Sequence, residues 1–221
     1  TRGALRAAER MVRPRVTTAD IDSAVEDFIL SAGATPSFKN YEGFPASACV
    51  SVNGEVVHGI PSRERVLKEG DIVSVDAGAY IDGFHGDAAR TFPVGKISPD
   101  AARLIEVTRQ CFYEGLRFAR LGYRIGDISG AIQDYAESHG YSVVRELIGH
   151  GVGRNLHEAP DVPNYRMRSP GIRLQEGLTI AVEPMINAGS RRVHVLDNGW
   201  TVVTDDGAYS AHYENSIAIT D

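Results

Sequence analysis

Four acidic residues occupy unusual places in this 221-residue chain. Asp76 (IVSVDAGAY), Asp87 (HGDAARTF), Glu183 (TIAVEP) and Glu214 (AHYENSIAIT) each interrupt a segment rich in Val, Ile, Ala, Thr and Tyr, the composition of strands with a buried face. One such acid alone reads as an edge-strand charge facing water. Four of them need another account, because converging carboxylates repel and burial disfavours their charged forms unless strong cations neutralise them. Divalent metals would do so. Two carboxylates that bridge, two that chelate and one histidine form a mixed oxygen and nitrogen donor set suited to two ions of the Mn, Fe, Co or Zn type. Two such ions, about 3.5–4 Å apart, can activate water and polarise a carbonyl. The chemistry implied is metal-assisted hydrolysis.

The chain has seven histidines. His150 stands in GHGVG (149–153), where flanking glycines disfavour a helix and let backbone and substrate approach closely. It is the first choice for the metal imidazole. His157, in LHEAP, follows seven residues later and can line the same cavity from a loop. His58 ends the strand-like stretch ACVSVNGEVV just before Pro61, a position that reads more readily as a structural hydrogen bonder. His85, His139 and His194 read as half-exposed or turn residues. His212 shares the face of Glu214 by the period-2 alternation of strands, which opens a supporting or substrate-contacting role.

These residues need elements to hold them, and the chain repeats itself in supplying them. At an offset of 107, residues 19–33 (ADIDSAVEDFILSAG) align with 126–140 (GDISGAIQDYAESHG), and 69–78 (EGDIVSVDAG) with 176–185 (EGLTIAVEPM). The first pair reads as amphipathic helices with apolar Ile21, Val25 and Phe28, or Ile128, Ile132 and Tyr135, and a glycine just past the end. The second pair matches Asp76 with Glu183. Strands are predicted at Asp71–Ala79 and His85–Phe92 around an Asp82-Gly83 turn. A two-residue turn there makes cross-strand partner numbers add to 165, so Asp87 faces Gly78 and lies diagonal to Asp76 on one face. In the second half, strands at Leu178–Pro184, Val193–Val195, Trp200–Thr204 and Ala208–Thr220, separated by Asn198-Gly199 and Asp206-Gly207, predict a meander. Ser98-Pro99-Asp100 predicts a helix start, with the helix running to about Arg120. The fold class is α+β, antiparallel sheet flanked by helices, in one domain (1–221) with pseudo-symmetric halves of roughly 1–107 and 108–221. A pseudo-twofold would bring the two acidic pairs together.

Composition sets the remaining bounds. With 23 Lys and Arg against 29 Asp and Glu, the net charge is −6, which argues against nucleic-acid binding through a basic face. No apolar run approaches the ~20 residues needed to span a bilayer, so no membrane role and a cytoplasmic location are expected. Cys49 and Cys111 are too few and too isolated for a disulfide framework or a cysteine-based zinc site.

The motifs VNGEVVHGIP, SVDAGAYIDGFHGDAARTF, GHGVGRNLHEAP, TIAVEPMI and SAHYENSIAIT resemble, in order and spacing, those of the type I methionine aminopeptidases, metallopeptidases of the pita-bread fold. The resemblance runs from about residue 17 onward. It implies Asp87 and Glu214 as bridging ligands, Asp76 chelating one metal, and His150 and Glu183 completing the other. It also implies His58 and His157 in contact with substrate, with His157 stabilising the oxyanion and Glu183 moving the proton. Tyr41, Phe44, Cys49, Leu156 and Trp200 would form the side-chain pocket, and Asn53 and Ser210 a monovalent-cation site. Leu156 stands where the family commonly has Phe, and His212 where it commonly has Gln. The absence of a long helical insertion in the second half favours type I over type II. The implied substrates are N-termini of nascent polypeptides, met at the ribosome by a monomer that removes initiator methionine before a small second residue. Alternatives are an aminopeptidase or dipeptidase acting before proline, and an inactive peptide-binding member of the fold.

Overall fold

The computed structural model describes residues 1–220. Helices α1 (Arg2–Met11) and α2 (Thr18–Ser31) precede strands β1 (Thr35–Pro36), β2 (Cys49–Val52), β3 (Glu55–Val57), β4 (Ile72–Asp76), β5 (Ala79–Ile81), β6 (Phe84–Gly86) and β7 (Ala89–Pro93). Helices α3 (Pro99–Leu116) and α4 (Ile125–Ser138) then precede β8 (Ser142–Val143), β9 (Gly149–Gly151), β10 (Glu158–Val162) and β11 (Thr179–Val182). The chain closes with β12 (Met185–Asn187), β13 (Val193–Val195), β14 (Val202–Thr204), β15 (Ser210–His212) and β16 (Asn215–Ala218).

The repeated helices keep the offset of 107 at both ends: α2 begins at Thr18 and α4 at Ile125, and they end at Ser31 and Ser138. The same acid starts each. Asp20 accepts from the Thr17 backbone N–H at 2.9 Å, and Asp127 from that of Arg124 at 2.8 Å, satisfying donors that a helix start leaves open. In the first half α1 and α2 bury Leu5, Ala8, Ile21, Val25 and Ile29 against the β2-β4-β7 sheet. In the second, α3 and α4 bury Leu104, Phe112, Ile128 and Ile132 with Ile180 and Ile186 of β11 and β12. Each fully buried side chain of this size contributes about 1.5–3 kcal/mol relative to exposure. Ser98 caps α3 by accepting from the Ala101 N–H at 3.1 Å. The helix ends at Leu116 rather than Arg120, because Phe118 and Ala119 bond back only three residues, to Gly115 and Leu116.

The first hairpin keeps one register throughout. Partner numbers add to 165 in β4–β7 and again in β5–β6, and the tip is Asp82 and Gly83, both at positive φ (53° and 87°), as a two-residue primed turn requires. The strands predicted as continuous break at Ala77-Gly78 and Asp87-Ala88, so β5–β6 leaves the sheet to join β1.

The predicted meander is replaced by a second long, bent hairpin. Partner numbers add to 397 in β11–β16, in β12–β15 and in β13–β14, so one excursion runs out from Thr179 and returns at Ala218 with its tip at Asn198-Gly199. Asn198 Oδ1 accepts from the backbone N–H of Trp200 and Thr201, both at 2.9 Å, and this local bonding makes the tip a wider loop than a two-residue turn. Asp206-Gly207 is a turn within the returning arm. The two halves join where Glu214 and Ala89 exchange backbone hydrogen bonds (3.0 and 3.3 Å) and where β14 pairs with β3.

Candidate metal centre

All four acids sit at strand breaks. Asp76 ends β4, Asp87 lies between β6 and β7, Glu183 between β11 and β12, and Glu214 between β15 and β16. Where a strand kinks, the alternation of faces is interrupted, and a side chain can be turned into the space between sheets. Carrying the second register across its break sets Glu183 opposite Glu214. The halves then bring both pairs to one cavity of about 150 Å³, whose wall includes Asp76, Asp87, His150, Glu183 and Glu214.

His150 reaches it from the middle of β9, and the glycines beside it explain how. A Cβ on Gly149 would lie 2.3 Å from the Ala181 carbonyl oxygen, and one on Gly151 2.3 Å from that of Ala159. The close approach these glycines allow in the structure is to neighbouring strands. His150 Nδ1 lies 2.8 Å from the Gly151 carbonyl oxygen; since a carbonyl only accepts, Nδ1 carries the proton and Nε2 keeps its lone pair. Nε2 is 3.6 Å from Glu183 Oε1. One ligand atom each from Asp87, His150 and Glu214 lies within 4.8 Å of the others.

Burial and mutual repulsion disfavour the charged forms of these acids. Asp76, Glu183 and Glu214 are held well above the usual carboxylate range, first by burial and then by their neighbours' charge, and Asp87 is raised by burial with partial relief from His150. Asp76 Oδ1 and Asp87 Oδ1 are buried and have no hydrogen-bond partner among the described residues. Orphaned oxygens, a free imidazole lone pair and mutually repelling acids fit divalent ions of the oxygen- and nitrogen-binding kind.

The remaining wall of the cavity holds every other residue expected there: Tyr41, Phe44, Cys49, Leu156, Trp200, His58 and His157. His157 Nδ1 is 2.8 Å from the Tyr41 hydroxyl, and its ring packs against His150 with centroids 4.1 Å apart. His58 adopts a left-handed backbone (φ 58°) and meets Trp200 edge to face. Burial pushes both of these histidines down and the Cys49 thiol well up, with the nearby carboxylates adding to the burial effect. Asn53 and Ser210 are joined by a 2.9 Å backbone bond.

Phe38 and Glu42 also line the cavity and were not anticipated. They belong to an irregular stretch in which Asn40, Glu42 and Gly43 take positive φ, and no periodicity marks such a segment. Arg90 was missed as well: it stacks 3.7 Å over Tyr213 and donates to the Glu214 carbonyl at 2.5 Å and to Asn215 Oδ1 at 2.8 Å, fixing the backbone of an acid from the opposite half. His85 and His194 bond Ser37 and Asp205 (2.9 and 2.7 Å), and His139 caps α4, as their structural readings expect.

Among the described residues no helix is long and apolar enough to cross a membrane. The model of metallopeptidase family M24 matches residues 1–221. The chain is 54% identical over 213 residues to a methionine aminopeptidase of Clostridium acetobutylicum, covering 96% of this chain and 85% of the relative. It is 53% identical over 213 residues to methionine aminopeptidase 1 of Bacillus subtilis, covering 96% and 86%. The crystal structure of the Thermotoga maritima methionine aminopeptidase superposes with a TM-score of 0.96 at 45% identity, over 98% of this chain and 87% of that one. With this agreement in sequence and in pita-bread architecture, the chain belongs to metallopeptidase family M24, among its type I methionine aminopeptidases.

Proposed function

We propose that this protein removes the initiator methionine from nascent proteins and peptides, favouring a small second residue, at a centre of two divalent metal ions. Asp76, Asp87, His150, Glu183 and Glu214 would hold the ions, with Asp87 and Glu214 shared between them. When bound, such ions lower the pKa of water and polarise the scissile carbonyl. Glu183 stands at the edge of this group, 3.6 Å from His150, and takes the role of accepting the proton of the attacking water and delivering it to the leaving amine. The Tyr41 hydroxyl lies 2.8 Å from His157 Nδ1; when it donates there, Nε2 carries the N–H that a developing oxyanion needs. His58 contacts the substrate backbone. Phe44, Cys49, Leu156 and Trp200 form an apolar slot with a soft sulfur, suited to an unbranched thioether.

The observation that supports this reading is the meeting of four carboxylates, one imidazole and an apolar slot on a single small cavity. We place the protein in the cytoplasm as a monomer acting on chains at the ribosome, without nucleic acid or membrane as partners, and with Asn53 and Ser210 available to a monovalent cation. The test is hydrolysis of Met-Ala-Ser against Ala-Pro peptides in the presence of Mn²⁺ or Co²⁺. Release of methionine from the first with little cleavage of the second is expected. Cleavage of the proline substrate alone would overturn the assignment in favour of a proline-directed peptidase, and cleavage of neither, with no metal bound, in favour of a binding protein.

A further inference from the structure

His212 is given no task by the chemistry above, yet its surroundings are not those of a core residue. It is 2% exposed, and among the described residues neither ring nitrogen has a hydrogen-bond partner. A buried polar group left in that condition is destabilising and calls for an explanation. Its Nε2 lies 3.9 Å from Glu183 Oε2 and 4.0 Å from Glu214 Oε2. His150 approaches the other oxygen of Glu183, Oε1, so the two histidines address opposite oxygens of one carboxylate.

The ring is aimed from a fixed frame. Thr91 Oγ1 accepts from the His212 backbone N–H at 2.9 Å and donates to the His212 carbonyl at 3.0 Å, and Thr91 itself meets Ser74 Oγ at 2.8 Å. A residue of the first half thus pins the backbone of His212 in the second. The tautomer follows from what the ring faces. With the proton on Nε2, the positive end of the N–H dipole lies nearest two acids, at 3.9 and 4.0 Å, and Nδ1 is left a lone pair. With the proton on Nδ1, a lone pair would face the same two acids, which is electrostatically unfavourable once they are ionised around a metal.

We propose that His212 is a positioning residue of the metal centre: its Nε2, 3.9 and 4.0 Å from oxygens of Glu183 and Glu214 and so beyond direct hydrogen-bond reach, orients the pair through the attraction between its N–H dipole and their charge, biasing which of their oxygens are left for the divalent ions and so setting the affinity of the site. This rests on the metal-centre reading above. It separates His212 from His150, whose Nδ1 is already satisfied and whose Nε2 is free to bind a metal.

The test measures metal binding directly. Metal-stripped wild type, His212→Leu and His212→Gln are titrated with Co²⁺, followed by calorimetry and by the visible absorption of the bound ion, after circular dichroism has confirmed each fold. Leucine fills the space without a donor; glutamine restores an N–H. His212→Leu is expected to bind Co²⁺ about 10–100-fold more weakly, the usual effect of losing a group that orients a ligand, and His212→Gln within about threefold of wild type. Equal affinity in the leucine variant, or an equal loss in both variants, overturns the proposal. Should the leucine variant fail to fold, ¹⁵N spectra of the Co²⁺-free protein reconstituted with Zn²⁺ decide: a slowly exchanging Nε2–H, assigned by its absence in His212→Gln, is expected, and an unprotonated Nε2 overturns the proposal. Wild type that binds no Co²⁺ sinks the metal-centre reading itself, whereas wild-type binding with an indifferent His212 sinks this inference alone.

Discussion

Asp87 carries one buried oxygen without a partner among the described residues and lies within 4.8 Å of ligand atoms of His150 and Glu214. Asp87→Asn and His150→Ala are each expected to lose bound metal and to lower activity by more than about a hundredfold, since groups one step removed from a metal already cost about 10–100-fold. Circular dichroism should stay near wild type, and metal content by mass spectrometry checks the first half of that expectation. The acids also set a pH dependence. Asp76, Glu183 and Glu214 have folded-state values raised above their unfolded ones. Their contribution to the metal-free fold is complete below the ordinary carboxylate range and is lost as pH rises through the raised values. His58, His150 and His157 are depressed, so theirs is present above pH ~6.5 and lost as pH falls through the lowered values. Metal binding is therefore expected to displace protons chiefly from the carboxylates. Calorimetry at pH 6 in buffers of different ionisation enthalpy should show net proton release, with affinity climbing as pH rises; proton uptake would contradict it. The residue types that meet at the cavity were legible because an acid in an apolar strand is chemically conspicuous. Phe38, Glu42 and Arg90 were not, because an aromatic, an exposed acid and a strand arginine are ordinary wherever they fall.

At the scale of elements, β9 is held closely on both sides. Gly149→Ala would set a methyl group 2.3 Å from the Ala181 carbonyl, between two strands that cannot separate without moving Ile180 from its register with Gly151. The expected cost is about 1–3 kcal/mol, a fall in Tm of about 3–10 °C at this size, accompanied by weaker metal binding because His150 moves with the strand. Thermal unfolding and a Co²⁺ titration check both parts. The first hairpin was readable to the residue from Asp82-Gly83, since a two-residue turn fixes every partner that follows it. The second was misread as a meander because Asn198-Gly199 and Asp206-Gly207 are equally good turn signals, and pairing between strands as distant as Thr179 and Ala218 has no local signature. The repeat at 107 was legible for the same reason the hairpin was: a fixed offset propagates, and the helix starts at Thr18 and Ile125 obey it.

For the whole molecule, the net charge of −6 includes the four acids of the centre, and two divalent ions would reduce it to −2. Bound metal should stabilise the fold by mass action, about 2.7 kcal/mol for an ion present at a hundred times its Kd, so adding a chelator at pH 7.5 is expected to lower Tm by about 5–10 °C. An unchanged Tm in a protein shown to contain metal would argue against a central site. The division of the ligands between halves has a further effect, on the order of events during synthesis. Glu214 lies 138 positions after Asp76, and at about 5–20 residues per second it leaves the ribosome roughly 7–28 s later. Until then the first half can offer an ion only Asp76 and Asp87, with β7 still lacking the Glu214 backbone that closes on Ala89. On the ligand set proposed above, a centre that draws on both halves is complete only once Glu214 has been made and its backbone has closed on Ala89, so a growing copy is expected to stay inactive toward its neighbours until then.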